Sequence, residues 1–308
     1  MDSKNCDVVK VFLWTLPRSL STVLCRCLSA IDGVQIAFEP YRTAYHDGPD
    51  ANKEGMSDSY LAFRQQAKLL QMSFPNAFPE ETCTFSWVKQ MMEETNPSEN
   101  NVIFAKDFAY CIHGKYDALP SGYRHAFLIR HPHRVLPSFK KMKMKQLQMD
   151  DSTPYEAIPE CLRPPQHGYK EMYELYQYVQ DQSGIPPLII DADDMQRHPG
   201  SVLRQFCSSL GIPFAEKHLQ WNEGEDFIND WIISEVTAKG NALQEGGFFS
   251  TVMRSSGVHP PSLLPLKETL SGDLYNAIDV SMPYYPKLYS LTLKPYPDDN
   301  QLTKVEPI

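Results

Sequence analysis

The segment Leu13–Thr22 limits how this chain can fold more than any other stretch of its sequence. The apolar run Val8–Trp14 before it is typical of a buried strand. A short turn follows, and apolar residues then recur at helical spacing: Leu20, Val23, Leu24, Cys27, Leu28 and Ile31. A strand, a tight loop and a helix N-terminus in this order predict an anion site, because the first amides of a helix have no partner inside it.

The loop itself carries one fixed cation, Arg18, and the hydroxyls of Ser19, Ser21 and Thr22. It is not an ordinary phosphate-binding loop, because that motif requires glycines and a lysine that are absent here. The alternative is a plain helix start, in which Ser19 is the N-cap and Arg18 is solvated.

A second segment repeats this layout further along the chain. A predicted strand ends at Arg130, Pro132 interrupts it, a helix starts near Arg134, and Ser138 follows within two turns. Arg130 can hold a phosphate through two hydrogen bonds, or it can pair with a carboxylate. Ligands of open parallel sheets bind at the carboxyl ends of the strands, so the two segments together predict a ligand with two separated anionic groups.

Composition excludes several classes of function. The chain has 308 residues and a net charge of −9, which disfavours nucleic-acid binding as the main function. No apolar run approaches the ~20 residues of a membrane span. The first residues do not resemble a signal peptide, and the seven cysteines are an odd, dispersed set, so we expect a cytoplasmic protein with free thiols. Cys25 and Cys27 lie two apart on a predicted helix, a spacing unsuited to a metal site.

The pattern of elements predicts an α/β fold, a three-layer α/β/α arrangement with a mainly parallel central sheet. The predicted strands are Val8–Trp14, Val34–Phe38, Thr82–Ser86, Val102–Ala105, Ala126–Ile129 and Leu188–Ile190. The predicted helices are 19–31, 57–71, 86–95, 134–147, 168–182, 201–210 and about 265–280. Two polar insertions, 42–56 and 148–167, are either lids over a site or plain surface loops.

Three motifs in this order resemble the sulfotransferase family that uses 3′-phosphoadenosine 5′-phosphosulfate (PAPS). The segment Pro17–Thr22 is similar to its 5′-phosphosulfate loop, and Arg130 to Phe139 is similar to its 3′-phosphate motif. The acidic turn and helix from Asp193 to Phe214 is similar to a third family segment. The resemblance implies a P-loop NTPase-like sulfotransferase fold, with one domain over residues 1–292 and a polar tail at 293–308. It also implies PAPS as donor, adenosine 3′,5′-bisphosphate (PAP) as product, and no metal. The implied donor-binding residues are Pro17, Arg18, Ser19, Leu20, Ser21, Thr22, Arg130, Ser138 and Arg254.

The sequence also departs from the family pattern. Leu20 replaces the usual loop glycine, and Phe108 stands where cytosolic members carry a histidine base. Ala192 replaces an aromatic residue expected before the acidic turn, and the usual Arg-Lys-Gly near the C-terminus is reduced to Arg254 and Gly257.

Another group must therefore act as the catalytic base. Glu39, at the end of the second strand, resembles the Glu-Pro base of glycan sulfotransferases, and burial would raise its pKa towards working pH. Asp107, at the end of another strand, is the rival. A purely structural Glu39 would instead pair with Arg18 or Arg42. Lys106 contacts donor or acceptor, or else lies at the surface.

These residues predict in-line sulfuryl transfer from PAPS to a hydroxyl or amine of a small-molecule acceptor, with Arg18 stabilising the leaving phosphate. The alternatives are a divergent P-loop kinase or NTPase, with Leu188–Asp191 as its Mg²⁺-binding strand, and a non-catalytic nucleotide-binding protein. The basic run of Lys140, Lys141, Lys143 and Lys145 is either a solvated helix face or an electropositive approach to the donor. An aromatic acceptor pocket is suggested by Tyr41, Tyr45, Tyr155 and Tyr169. The oligomeric state is not encoded in any motif.

Overall fold

The computed structural model describes residues 8–52, 54, 56, 58–95, 101–224, 226–243 and 249–296. The strands are β1 (Val9–Thr15), β2 (Val34–Phe38), β3 (Ala77–Phe78), β4 (Val102–Phe108), β5 (Arg124–Ile129), β6 (Leu188–Asp191) and β7 (Ile232–Ser234). They form one sheet in the order β3-β7-β2-β4-β1-β5-β6, and every described pair is parallel.

Twelve α-helices accompany the sheet over the described residues. They are α1 (Ser21–Ser29), α2 (Pro40–His46), α3 (Asp58–Leu69), α4 (Phe85–Glu94), α5 (Pro132–Gln146), α6 (Tyr169–Ser183), α7 (Ala192–Arg197), α8 (Pro199–Leu210), α9 (Glu235–Leu243), α10 (Ser250–Met253), α11 (Tyr275–Ser281) and α12 (Tyr285–Tyr289). None of these helices has the length and apolar character needed to cross a membrane.

The central strand β1 separates two hydrophobic cores. Its side chains alternate between the sheet faces, as the period of a strand requires. Val11 and Leu13 pack in one core with α1 and α8, whereas Phe12 and Trp14 pack in the other with α4 and α6. Because helices cover both faces of a parallel sheet, the predicted three-layer α/β/α class is confirmed.

A third, smaller core fixes helix α5 at the carboxyl end of the sheet. It joins Phe139 of α5 to Ile278 of α11 and to Tyr155, Ile158 and Leu162 of the second polar insertion. These three insertion residues are at most 3% exposed. The insertion 148–167 is therefore tied to the body of the protein by its apolar side chains.

Six predicted helices agree with observed ones to within two residues at each end, but three other predictions need correction. The predicted strand Thr82–Ser86 is a 3₁₀ turn followed by the start of α4, because the Thr84 hydroxyl accepts a hydrogen bond from the Trp87 amide at 3.1 Å and so caps the helix. The helix predicted at about 265–280 is two 3₁₀ turns and then α11. At the predicted start of the tail, the Leu293 amide donates to Ile189 O at 2.8 Å, so the chain is still attached to β6; residues 297–308 lie outside the described residues.

Candidate active site

Strands β1 and β5 lie side by side, and the two predicted anion-binding segments follow their carboxyl ends. Thr15 of β1 pairs with Leu128 of β5. After β1 the next strand, β2, lies towards the β3 edge of the sheet, whereas after β5 the next strand, β6, forms the opposite edge. This is the reversal of strand order at which open α/β sheets bind their ligands.

The loop after β1 has an unusual backbone. Arg18 has a φ of 69° and Leu20 has a φ of 65°, both in the left-handed region that favours glycine. Leu20 therefore adopts a backbone conformation in which glycine is usual, at a cost of roughly 1–2 kcal/mol. Leu20 is also the N-cap of α1 and makes no side-chain capping hydrogen bond. The first amides of this nine-residue helix consequently face the loop without a side-chain cap.

The structure brings Arg18, Arg130 and Ser138 into direct contact. Arg18 Nε donates to Ser138 Oγ at 2.9 Å, and Arg130 Nη1 donates to the Arg18 carbonyl at 3.0 Å. Burial, together with the neighbouring Arg130, lowers the pKa of Arg18. Beside them, the buried Ser19 Oγ has no hydrogen-bond partner among the described residues. The two predicted anion sites therefore form one connected patch in this structure.

Asp193 lies near three arginines, two that follow β5 and one at the end of α7. Its carboxylate lies 2.6 Å from Arg134 Nε, 3.6 Å from Arg130 Nε and 3.8 Å from Arg197 Nη2. The Tyr169 hydroxyl fixes the Arg130 backbone by donating to its carbonyl at 2.8 Å. Arg130 thus has a distant carboxylate partner and also reaches the loop after β1. Burial lowers the pKa of Arg130 more than Asp193 raises it, so the carboxylate only partly offsets the burial of this positive charge.

A cavity of about 110 Å³ opens beside the loop after β1. Pro17, Arg18, Ser21 and Thr22 line one end of it, and Glu39 and Lys106 line the wall formed by β2 and β4. The rest of the lining is Phe38, Arg42, His46, Phe108, Tyr110, Phe139, Met142, Lys143, Gln146, Leu162, Thr237 and Phe249. Glu39 and the loop after β1 therefore line one and the same cavity.

Glu39 and Lys106 form an ion pair in this cavity. The Lys106 ammonium donates to Glu39 Oε1, and it lies 4.7 Å from the Phe38 ring centroid and 3.9 Å from that of Phe108. Lys106 is 1% exposed, so the surface role that the sequence left open does not apply to it. Glu39 is the N-cap of α2 with a φ of 54°, another strained non-glycine residue at the site.

Asp107 lies outside the cavity lining, fully buried behind Glu39. Its carboxylate accepts hydrogen bonds from the amides of Tyr41 at 2.5 Å, Arg42 at 3.0 Å and Phe108 at 2.8 Å. Burial and the nearby Glu39 raise the pKa of Asp107 to about 7, against the bonds from Phe108 and Tyr41 and the charge of Lys106. The contacts are those of a group that caps α2 and holds Glu39 in place.

We expect Asp107→Asn to act on stability. An amide offers one acceptor oxygen in place of two, which leaves a buried amide unpaired at a cost of about 1–3 kcal/mol. Because folding raises the pKa of Asp107, the unfolded chain loses this proton at a lower pH than the folded protein does. The free energy of unfolding should therefore fall between about pH 4 and pH 7, and it should fall less steeply in the variant, which has no carboxyl here. Thermal unfolding across this pH range measures both effects. A loss of turnover in the folded variant as large as that of Glu39→Gln would restore Asp107 as a candidate base.

Several other predicted residues are not brought to this cavity. Arg254 is exposed after α10 and does not line it. Tyr41, Tyr155 and Tyr169 are buried elsewhere, so the aromatic lining comes from different residues than predicted. The two polar insertions instead meet at a second cavity of about 830 Å³, which includes Tyr45 and shares His46 with the first.

Sequence reasoning missed the part of the cavity wall formed by α5. Phe139, Met142, Lys143 and Gln146 follow the spacing i, i+3, i+4, i+7 and all line the cavity. Within the predicted basic run, Lys140 pairs with Asp273 at 2.8 Å and Lys143 is buried, whereas Lys141 and Lys145 are exposed. The available signal was two polar residues on the same helix stripe as two apolar ones.

No group of histidine, cysteine, aspartate or glutamate side chains suited to a metal ion occurs among the described residues. Each cysteine in the described ranges is a free thiol.

Comparison with known proteins gives partial matches. No family model matches the chain. It is 26% identical over 305 residues to branched-chain-amino-acid aminotransferase-like protein 2 of Arabidopsis thaliana, covering 92% of this chain and 44% of that protein. It is 30% identical over 195 residues to the corresponding protein 1, covering 60% of this chain and 29% of that protein. The chain spans less than half the length of these curated relatives, so their names assign no activity to it.

Among solved structures, the chain is similar to the sulfotransferase domain from the curacin biosynthetic pathway, with 16% identity, a TM-score of 0.46, and coverage of 94% of this chain and 100% of that one. It is also similar to mouse sulfotransferase SULT7A1 complexed with PAP, with 13% identity, a TM-score of 0.38, and coverage of 88% and 95%.

Proposed function

We propose that this protein is a PAPS-dependent sulfotransferase that moves the sulfuryl group to a hydroxyl or amine of a small-molecule acceptor. The observation that carries the proposal is the convergence of the loop after β1, Arg130 and Ser138 beside a cavity that also contains Glu39. A phosphate-binding patch and a carboxylate base are the two parts that this reaction needs.

The residues present fit the donor's anionic groups. Arg18 has no ion-pair partner among the described residues, and the adjacent Arg130 lies 3.6 Å from Asp193. The hydroxyl of Ser19 is buried without a partner among the described residues, and the N-terminus of α1 lacks a side-chain cap. Each of these features is satisfied by phosphate oxygens, which accept charge-assisted hydrogen bonds. Arg18, Ser19 and the α1 amides would hold the 5′-phosphosulfate, and Arg130 with Ser138 the 3′-phosphate.

In the proposed step, Glu39 takes the proton of the acceptor as its oxygen or nitrogen bonds to sulfur. The bond between sulfur and the bridging oxygen breaks, and the leaving phosphate gains negative charge. Arg18 and the first amides of α1 stabilise that charge. Lys106 holds Glu39 in position through their ion pair. PAP and the sulfated acceptor are the products, and the step requires no metal.

Two of the four departures from the family pattern, Leu20 and Phe108, are compatible with catalysis. Leu20 keeps the left-handed backbone in which glycine is usual. Phe108 lines the cavity beside Lys106, and the same lining holds Glu39, a carboxylate that can act as base in place of the histidine. These observations favour an enzyme over a non-catalytic nucleotide-binding protein.

A kinase or NTPase is disfavoured by the surroundings of Asp191, the residue that would hold Mg²⁺. Its Oδ1 accepts from the amides of Asp193 at 2.9 Å and Asp194 at 3.1 Å, and its Oδ2 accepts from the Tyr285 hydroxyl at 3.0 Å. Both oxygens are thus engaged in capping α7 and anchoring α12.

Thermal unfolding with PAP or with Mg·ATP tests the proposal. At 100 times its dissociation constant a ligand raises the free energy of unfolding by ~2.7 kcal/mol, so we expect PAP to raise the melting temperature by several degrees and Mg·ATP to raise it less. A larger shift with Mg·ATP would favour the kinase. No shift with either nucleotide would favour the non-catalytic alternative.

A further inference from the structure

The cavity beside the loop after β1 contains more cations than carboxylates. Arg18, Arg42, Lys106 and Lys143 line it, and Glu39 is the carboxylate in the lining. Glu39 pairs with Lys106, and Arg42 pairs with Asp47 behind the wall. Arg18 belongs to the proposed donor site. Lys143 is left as a buried ammonium for which the described residues supply no ion pair.

Lys143 and Gln146 present two unsatisfied donors at the same place. Lys143 Nζ donates one hydrogen bond, to Gln146 Oε1 at 3.1 Å, and an ammonium has three protons to donate. Gln146 is 6% exposed, and its Nε2 is buried without a partner among the described residues. A buried polar group left unpaired costs free energy, so this pair is suited to a ligand that brings acceptor oxygens.

The remaining walls indicate the rest of that ligand. Phe139, Met142, Leu162 and Phe249 are apolar, and the cavity volume of about 110 Å³ is below the ~300–1,000 Å³ usual for drug-sized ligands. The ligand is therefore compact, with an apolar body of a few carbons between its two ends.

We infer that the acceptor is a compact hydroxy or amino carboxylate, whose nucleophile faces Glu39 and whose carboxylate binds Lys143 and Gln146. This inference rests on the proposed function. A carboxylate matches the site because it carries one negative charge for one unpaired cation and two oxygens for two donors.

Proton binding gives the site a pH signature. Burial and the charge of Arg42 lower the pKa of Lys143 to about 7, while Asp47, Cys161 and Glu39 oppose that shift. Lys143 also faces His46, whose pKa burial, Arg42 and Lys143 itself lower. Carboxylate binding needs the protonated ammonium, so affinity for the acid should fall as pH rises above about 7. Affinity for an uncharged analogue should not change with the protonation of Lys143.

Calorimetric titration of the full chain saturated with PAP tests this inference. The probes are linear ω-hydroxy acids of three to six carbons, each matched with its neutral primary amide. We expect at least one acid to bind at least about tenfold more tightly than its amide at pH 6.5. Lys143→Met should reduce that preference to below about threefold and remove its pH dependence. Lys141→Met, an exposed lysine on the same helix, should leave both unchanged.

Removing a buried, unpaired cation should not impair folding, and Gln146→Leu provides a second variant that reduces the preference by a smaller factor. Retention of the full preference in both variants, or no preference for any acid in a protein that binds PAP, overturns the inference and leaves the proposed function intact. Failure of PAP to bind overturns both.

Discussion

Arg18→Ala should lower the rate of PAP formation from PAPS by about 10²–10³-fold, the usual effect of removing one donor aimed at developing charge. The Arg18 guanidinium is half-buried and donates to Ser138, and the Arg18 backbone carbonyl accepts from Arg130. Alanine tolerates the same left-handed backbone about as well as arginine does, so the variant removes the charge without adding backbone strain. Steady-state PAP formation with the best acceptor measures the effect.

Arg204→Ala is a matched control, because Arg204 is half exposed on α8 and pairs with Glu216 at the surface. It should retain the wild-type rate and nearly wild-type stability. Arg18→Lys should recover part of the rate, since a lysine keeps the charge but loses the planar fork. A wild-type rate in Arg18→Ala would exclude Arg18 from stabilising the leaving phosphate.

Glu39→Gln should lower the rate by about 10²–10⁴-fold, the range of a lost general base, while PAP binds with unchanged affinity. The amide has nearly the same size but cannot take the acceptor's proton. Glu39 lies beside the loop after β1 but is not part of it. The variant should therefore lose turnover without losing affinity for PAP. PAP titration and single-turnover transfer measure the two quantities. If Glu39→Gln binds PAP normally and also keeps the wild-type rate of transfer, Glu39 is not the base.

Stability needs a separate control, because Glu39→Gln leaves the buried Lys106 without its carboxylate. Losing one partner of a buried pair costs roughly 3–5 kcal/mol. The double variant Glu39→Gln, Lys106→Met removes the stranded cation and should recover much of that stability. It should not recover turnover. Recovery of both would mean that Glu39 acts through folding alone.

Local sequence patterns predict most of the sheet and the donor side of the site. β1, β2 and β5 are mostly apolar, with their polar residues mainly near the N-terminal ends, and their later residues are buried as expected for strands covered on both faces. The residues proposed to bind anions follow those strands directly, so a strand, a loop and a helix start specify their positions. Arg18, Arg130 and Ser138 meet because parallel strands place their carboxyl ends together.

The acceptor side depends on contacts that local patterns do not encode. β3 and β7 have two and three residues, too few for a period to be detected. Asp107 and Glu39 both end apolar strands, and only the three amides around Asp107 distinguish a cap from a candidate base. Lys143 and Lys141 belong to the same basic run, and their opposite burial follows from how α5 packs on the sheet and on α11.

Helix α5 carries Ser138, which contacts Arg18, and five residues further on Lys143, which lines the cavity together with Gln146. Because one helix carries both residues, loop movements elsewhere leave the axial separation of Ser138 and Lys143 unchanged. In the proposed acceptor site, moving the lysine of position 143 by one turn along α5 would change the length of acceptor that fits. Inserting a single residue between Ser138 and Lys143 would instead rotate the cation by about 100° and point it away from the chamber.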